Sequence, residues 1–123
     1  MSHAVAEQII GALEVIDSRE GDRAELLAKN SIYFREKLQK KGFNIIGNKN
    51  SPVVPLLTTS LSGTYKAVMF MWKKGIASVM VGYPATPLLK PRIRFCLSSS
   101  HSKSDLDFII DTLEKARAKI LFT

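Results

Sequence analysis

One cysteine, Cys96, stands in 123 residues, so no disulfide can close within the chain and no cysteine-built zinc site is expected. Histidine is nearly as scarce, with only His3 and His101. No apolar run approaches the roughly 20 residues that span a bilayer, and the first residues lack the succession of charged, apolar and small residues that marks a signal peptide. No internal repeat, low-complexity tract or interior linker is visible, which excludes solenoids and arrays. Acidic residues are outnumbered 11 to 18 by Lys and Arg, for a net charge of +7.

What remains is the composition of one globular domain with a modest core, 46% hydrophobic and 24% charged. The positive balance suits nucleic acid, a membrane surface or a polyanionic ligand. Yet many of the lysines sit where helices should end: Lys37, Lys40 and Lys41, then Lys73 and Lys74, then Lys115 and Lys119. Cations there complement helix dipoles, a structural explanation for much of the excess.

Taken in order, the chain alternates helical and extended patterns. Val5, Ile9, Ile10, Leu13 and Ile16 recur at three- and four-residue steps and predict an amphipathic helix over 4–17. The break at 18–22 offers Asp22 as an N-cap, and a second helix should run to about Lys41 on a stripe of Leu26, Leu27, Tyr33, Phe34 and Leu38, closed by Gly42. Strands are predicted at 43–46 and 51–58, the second an edge or bulged strand because Pro52 and Pro55 cannot donate to a ladder. A helix over 64–74 should end at Gly75. In it Met69, Phe70, Met71 and Trp72 fit no single stripe and read as core, two-sided burial being the other reading. A strand at 79–81, a loop stiffened by Pro84, Pro87 and Pro91, and a strand at 92–98 follow. Ser102 and Asp105 form a capping box before a last helix carrying Leu106, Ile109, Ile110, Leu113, Ala116 and Ile120. The expected fold is α+β, a two-layer sandwich whose short, mostly antiparallel sheet is covered by helices on one face.

Candidate chemistry concentrates in the strand at 92–98. Strict alternation sends Ile93, Phe95 and Leu97 to the core and Arg92, Arg94, Cys96 and Ser98 to the other face. A guanidinium on a strand has a fixed backbone, and its planar fork can hold a carboxylate by two parallel hydrogen bonds. The alternative is a solvated or salt-bridged arginine on a half-exposed sheet. Cys96 reads as a small packing residue rather than a nucleophile.

The run Gly82-Tyr83-Pro84-Ala85-Thr86-Pro87, then Arg92-Ile93-Arg94-Phe95-Cys96-Leu97-Ser98 and His101, resembles the C-terminal signature of serine palmitoyltransferases of the long-chain-base subunit 2 type. These belong to the pyridoxal-phosphate-dependent α-oxoamine synthases, of fold type I. Val5-Ala6-Glu7-Gln8-Ile9-Ile10, Tyr33-Phe34-Arg35, Gly47-Asn48 and Ser51-Pro52-Val53-Val54-Pro55 occur in that family at similar spacing.

The resemblance implies a C-terminal small domain over residues 23–123, preceded by a helix over 1–22 that leads from a large domain. Met1-Ser2-His3 then reads as an artefact of the start. The implied reaction condenses L-serine with palmitoyl-coenzyme A to 3-ketosphinganine, the first step of sphingolipid biosynthesis. The family's pyridoxal phosphate is held through a lysine of the large domain, in a motif these residues lack. No catalytic or cofactor-binding residue is therefore expected here, and the domain alone should be silent. For substrate binding the resemblance implies Arg94 as the carboxylate clamp, Arg92 as second choice and Thr86 as a polar contact on the loop around Tyr83. His101 matches a family histidine and reads as a capping or packing residue. Gly82 stands where bacterial soluble relatives carry an arginine, which favours the heterodimeric enzyme of the endoplasmic reticulum membrane, cytosolic face, partnered by the other long-chain-base subunit. Any membrane attachment would come from outside this segment, and some of the positive charge could attract the phosphates of coenzyme A. Two readings stay beside it: a sister α-oxoamine synthase of the aminolevulinate synthase or 2-amino-3-ketobutyrate coenzyme A ligase type, and a free-standing basic α+β RNA-binding domain. Against the last, no aromatic-rich RNA-binding strand is present and the Arg94 face lacks stacking rings.

Overall fold

Local signals set the helix ends in the computed structural model, which describes residues 2–18, 23–87, 90–120 and 122. Four helices form: α1 (His3–Asp17), α2 (Arg23–Lys40), α3 (Leu61–Lys73) and α4 (Lys103–Lys119). Ser2 caps α1 by accepting the Val5 N–H at 3.2 Å, and Ser60 caps α3 by accepting from Gly63 at 3.1 Å. That cap starts α3 three residues before the predicted Thr64. The predicted capping box closes at α4, where Asp105 N–H donates to Ser102 Oγ and Ser102 N–H returns to Asp105 Oδ2. Asp22, the N-cap expected for α2, lies outside the described residues.

Gly42 and Gly75 both have φ of +86°, a region that L side chains avoid. Each closes a helix with the same pair of bonds: Gly42 N–H to Gln39 O and Phe43 N–H to Leu38 O, then Gly75 N–H to Trp72 O and Ile76 N–H to Met71 O. The first closure explains a difference from expectation. Because Phe43 is tied to the end of α2, the strand predicted at 43–46 shrinks to a single bridge, Ile45 opposite Leu56.

Three strands make the sheet: β1 (Val53–Leu57), β2 (Val79–Val81) and β3 (Arg92–Cys96), in the order β1-β3-β2 with both pairings antiparallel. β3 is thus central and β1 an edge, as its prolines require. Helices α2, α3 and α4 cover one face. Phe34, Leu38, Val54, Leu56, Met71, Ile93, Leu106 and Leu113 are wholly buried between the layers, and Phe34 meets Phe95 edge to face at 5.6 Å. This is the α+β two-layer arrangement the sequence predicts.

Some predicted core positions lie elsewhere. Leu26 is 42% exposed, and the buried side of α2 carries Asn30, Ser31 and Arg35 beside Phe34 and Leu38. Those polar groups are buried because each serves a neighbouring loop, described below. In α3 only Met71 of the Met-Phe-Met-Trp run is fully buried, and Trp72 is 57% exposed. Helix α1 buries no residue, leaving Val5, Ile9, Ile10, Leu13 and Ile16 exposed along one face.

Candidate functional site

The uncovered face of the sheet is the place where chemistry can reach the fold. Pairing places Arg94 opposite Pro55 on one side and Val79 on the other, and Arg92 opposite Leu57 and Val81. With Val53 and Cys96 these residues make a largely apolar floor carrying two arginines whose Cα atoms are about 7 Å apart along the strand. None of them is aromatic, so the face offers a nucleic acid base nothing to stack on.

The Arg94 side chain is exposed and makes no hydrogen bond or ion pair among the described residues; the ion pairs there are Lys29–Glu25 and Lys41–Glu114. Arg92 is half-buried, and its Nε is buried without a partner. Uncommitted donors on a planar fork fit a carboxylate. No acidic residue stands between Glu36 and Asp105, so a counter-charge could come only from a distant element. Among the described residues neither arginine is paired with an acid, which sets aside the salt-bridged alternative and leaves the solvated one beside the carboxylate clamp.

Both ends of β3 are held by polar groups. At its start, Pro91 O accepts from Thr58 N–H and from Thr58 Oγ1, each at 2.9 Å. Each hydroxyl has one proton. With that of Thr58 given to Pro91, the Thr64 proton is shared between Thr58 Oγ1 at 2.7 Å and Ser60 O at 2.5 Å. Both threonines are buried, and nothing in the sequence pattern marked them beyond their place at a strand end and a helix start. Past the end of β3, His101 Nδ1 accepts the Ser98 N–H at 3.0 Å, while Asn30 Nδ2 donates to Ser98 O at 3.2 Å and His101 O at 2.9 Å. An accepting Nδ1 leaves the ring proton of neutral His101 on Nε2. This is the capping role.

Thr86 lies in the turn that follows β2. It is 7% exposed; its N–H donates to Gly82 O at 3.2 Å and its hydroxyl to Pro87 O at 3.4 Å. The hydroxyl is therefore engaged within its own loop. A groove of about 410 Å³ opens beyond the far end of β3, lined in part by Cys96, His101, Asp105 and Phe108, and neither arginine lines it. Asp105 there is held below the ordinary carboxylate range, first by the Ser102 backbone N–H, then by the Ser102 hydroxyl and the nearby His101.

Arg35 was not marked as important by its pattern in α2. It is 5% exposed, and burial pushes its pKa down. Its fork donates to Ile46 O at 3.1 Å, Ser51 O at 3.3 Å and Val53 O at 2.7 Å. Its part is structural: it secures the loop that leads into β1.

Residues 1–113 match the aminotransferase class I and II family. The chain belongs to that family. Over 120 residues it is 42% identical to serine palmitoyltransferase 3 of Caenorhabditis elegans, covering 94% of this chain and 23% of that protein. It is 44% identical to serine palmitoyltransferase 2 of Schizosaccharomyces pombe over 125 residues, covering 98% of this chain and 21% of that protein. The chain thus spans less than a quarter of the length of these two curated relatives. A solved serine palmitoyltransferase of Sphingomonas wittichii shares the fold, with a TM-score of 0.72 at 23% identity over 76% of this chain and 24% of the other. A further solved serine palmitoyltransferase of this fold holds pyridoxal phosphate. The small antiparallel sheet with helices on one face is the fold type I domain of these family members.

The open face of the sheet offers no acid to seat that cofactor's ring nitrogen. A pyridine nitrogen needs a carboxylate partner, and the open sheet face carries cations and apolar groups with no acid.

Proposed function

We propose that this chain is the C-terminal small domain of a serine palmitoyltransferase of the long-chain-base subunit 2 type. Residues 1–22 lead from a large domain and residues 23–123 form the small one. The observation that carries the reading is Arg94: a guanidinium with no counter-charge among the described residues, at the centre of an open sheet face, in a chain more than 40% identical to two serine palmitoyltransferases.

In this reading the large domain holds pyridoxal phosphate, which supplies an electron sink for bond making and breaking at the serine Cα. This chain supplies position. Arg94 takes the α-carboxylate of L-serine in two parallel hydrogen bonds, and so sets the rotation of Cα relative to the cofactor ring. Arg92, with an unpartnered Nε, is the second contact. The apolar floor of Pro55, Leu57, Val79 and Val81 lines the sheet side of the pair, and cover by the large domain would exclude water from the other side and strengthen it. Thr86 is the polar group of the loop that closes over the substrate, and its hydroxyl exchanges the Pro87 carbonyl for substrate on closure. Palmitoyl-coenzyme A is the acyl donor, the other long-chain-base subunit the heterodimer partner, and the cytosolic face of the endoplasmic reticulum membrane the location. The domain alone has no activity.

The complete enzyme, assayed with L-serine and glycine against palmitoyl-, acetyl- and succinyl-coenzyme A, tests this. Turnover of serine with palmitoyl-coenzyme A is expected. Preference for glycine with a short acyl donor would assign the chain to a sister α-oxoamine synthase.

A further inference from the structure

Helix α3 has an outward surface that the proposed reaction does not use. Leu61, Tyr65, Met69 and Trp72 are spaced at four, four and three residues, which stacks them on one face, and all four are exposed. The stripe does not stop at the helix. A Cβ placed on Gly82 would lie 3.1 Å from Leu61 Cδ1, so the first turn of α3 abuts the loop that carries Tyr83, itself exposed. Trp72 is held in place by its indole N–H, which donates to Ser78 O at 2.9 Å, and its ring remains 57% exposed.

Beside this stripe lie Lys66 and Lys73, both exposed and neither in an ion pair among the described residues; Lys74, past the end of α3, turns to the other side, with its ammonium 5.8 Å from the Phe70 ring. No acid is near in sequence, since none occurs between Glu36 and Asp105. Of the acids on α4, the helix packed against α3, Asp105 is engaged by Ser102, Asp107 by Tyr33 and Glu114 by Lys41; Asp111 is the other. The surface therefore combines an apolar and aromatic strip with an uncompensated cationic flank.

From this we propose, against the expectation that membrane attachment comes only from outside this segment, that the outer face of α3 is a docking surface for an anionic lipid bilayer, on which Trp72 and Tyr65 enter the headgroup region and Lys66 and Lys73 meet acidic headgroups. A convex helix face encloses no small ligand. Tyr65, Met69 and Trp72 would suit a protein partner as well, and it is the lysine flank that favours a bilayer, because lysine is depleted at protein interfaces. Lysine with tryptophan and tyrosine is the composition of the membrane interface, where the long lysine stems lie along apolar surface and their charges reach the phosphates.

The chain contains one tryptophan, so Trp72 is its own probe. The experiment titrates the full 123-residue chain with vesicles of phosphatidylcholine alone, and with vesicles that also contain phosphatidylserine, following emission and its quenching by brominated acyl chains. The expected result is a blue shift and quenching only with phosphatidylserine, weakened by salt. Lys66→Gln and Lys73→Gln, both at exposed sites that leave the core intact, should each lower the partition coefficient about fivefold. Vesicle flotation without a change at Trp72 would overturn the proposal, because binding would then run through another surface such as the apolar face of α1. Shielding of Trp72 by polyglutamate but not by anionic vesicles would also overturn it, in favour of an acidic protein partner.

Discussion

Replacing Arg35 with Ala should destabilise the fold far more than its place on a helix suggests. On its outer edge β1 meets only the single Ile45 bridge among the described residues, with Leu57 N–H donating to Asn44 O at 2.8 Å and Ile46 N–H to Pro55 O at 3.1 Å, while Val53 O is met by Arg35 at 2.7 Å. Ser51 O keeps the Ser31 hydroxyl at 2.7 Å when Arg35 is removed, whereas Ile46 O and Val53 O lose their donor. Each carbonyl left without a partner costs about 1–3 kcal/mol. Relief of the guanidinium's own desolvation offsets part of that, so the net loss should be about 3 kcal/mol. At about 3–5 °C per kcal/mol for a chain of this size, Tm falls by about 10 °C. Urea and thermal unfolding measure the loss, and amide exchange at Ile46 and Leu57 should accelerate with it. Arg35→Lys restores one point contact and recovers less than half. Arg35→Met fills similar space without donating, so full stability in that variant would refute the reasoning by showing that packing, not hydrogen bonding, is what Arg35 supplies. So would a loss below about 0.5 kcal/mol in Arg35→Ala.

Three further outcomes follow from the geometry. Thr58→Val removes one of two bonds to Pro91 O and one partner of Thr64, and should cost about 1–2 kcal/mol in urea unfolding while raising the serine KM of the complete enzyme through a looser start to β3. The Asp105 carboxyl is depressed in the fold, so its contribution to α4 is full above its ordinary value of 3.8 and fades as pH falls below that through the folded value; acid titration of helicity in Asp105→Asn, which still accepts from Ser102, should lose this dependence. Leu13→Gln on α1, where nothing is buried, should leave the unfolding free energy of the core within about 0.5 kcal/mol of the parent.

The residues that announced themselves in the sequence did so through local rules. Gly42, Gly75, Ser102 with Asp105, and the alternation from Arg92 to Cys96 each act over a few residues, and each stands where the pattern put it. The position of β1 at the sheet edge was legible because Pro52 and Pro55 exclude a central place. What stayed hidden depends on contacts across the chain. Asn30 reaches Ser98 and His101, Arg35 reaches Val53, and Thr58 reaches Pro91, and no periodicity in α2 or β1 can foretell such partners. The exposure of Trp72 was misread for a similar reason. Apolar content says that a helix is buried somewhere, and only packing decides which of Met71 and Trp72 faces inward. At the site, the strand face of Arg92 and Arg94 was readable, but the absence of any counter-ion beside them required the fold.

The central claim is that Arg94 holds the substrate carboxylate, and the dissociation constant of L-serine from the complete enzyme, followed by the absorbance of the bound cofactor, tests it most directly. Loss of a charge-assisted contact worth about 1.5–3 kcal/mol predicts that Arg94→Ala weakens serine binding by about 10- to 150-fold, that Arg94→Lys recovers only part, and that cofactor absorbance without serine stays as in the parent. A serine dissociation constant unchanged in Arg94→Ala would contradict the claim.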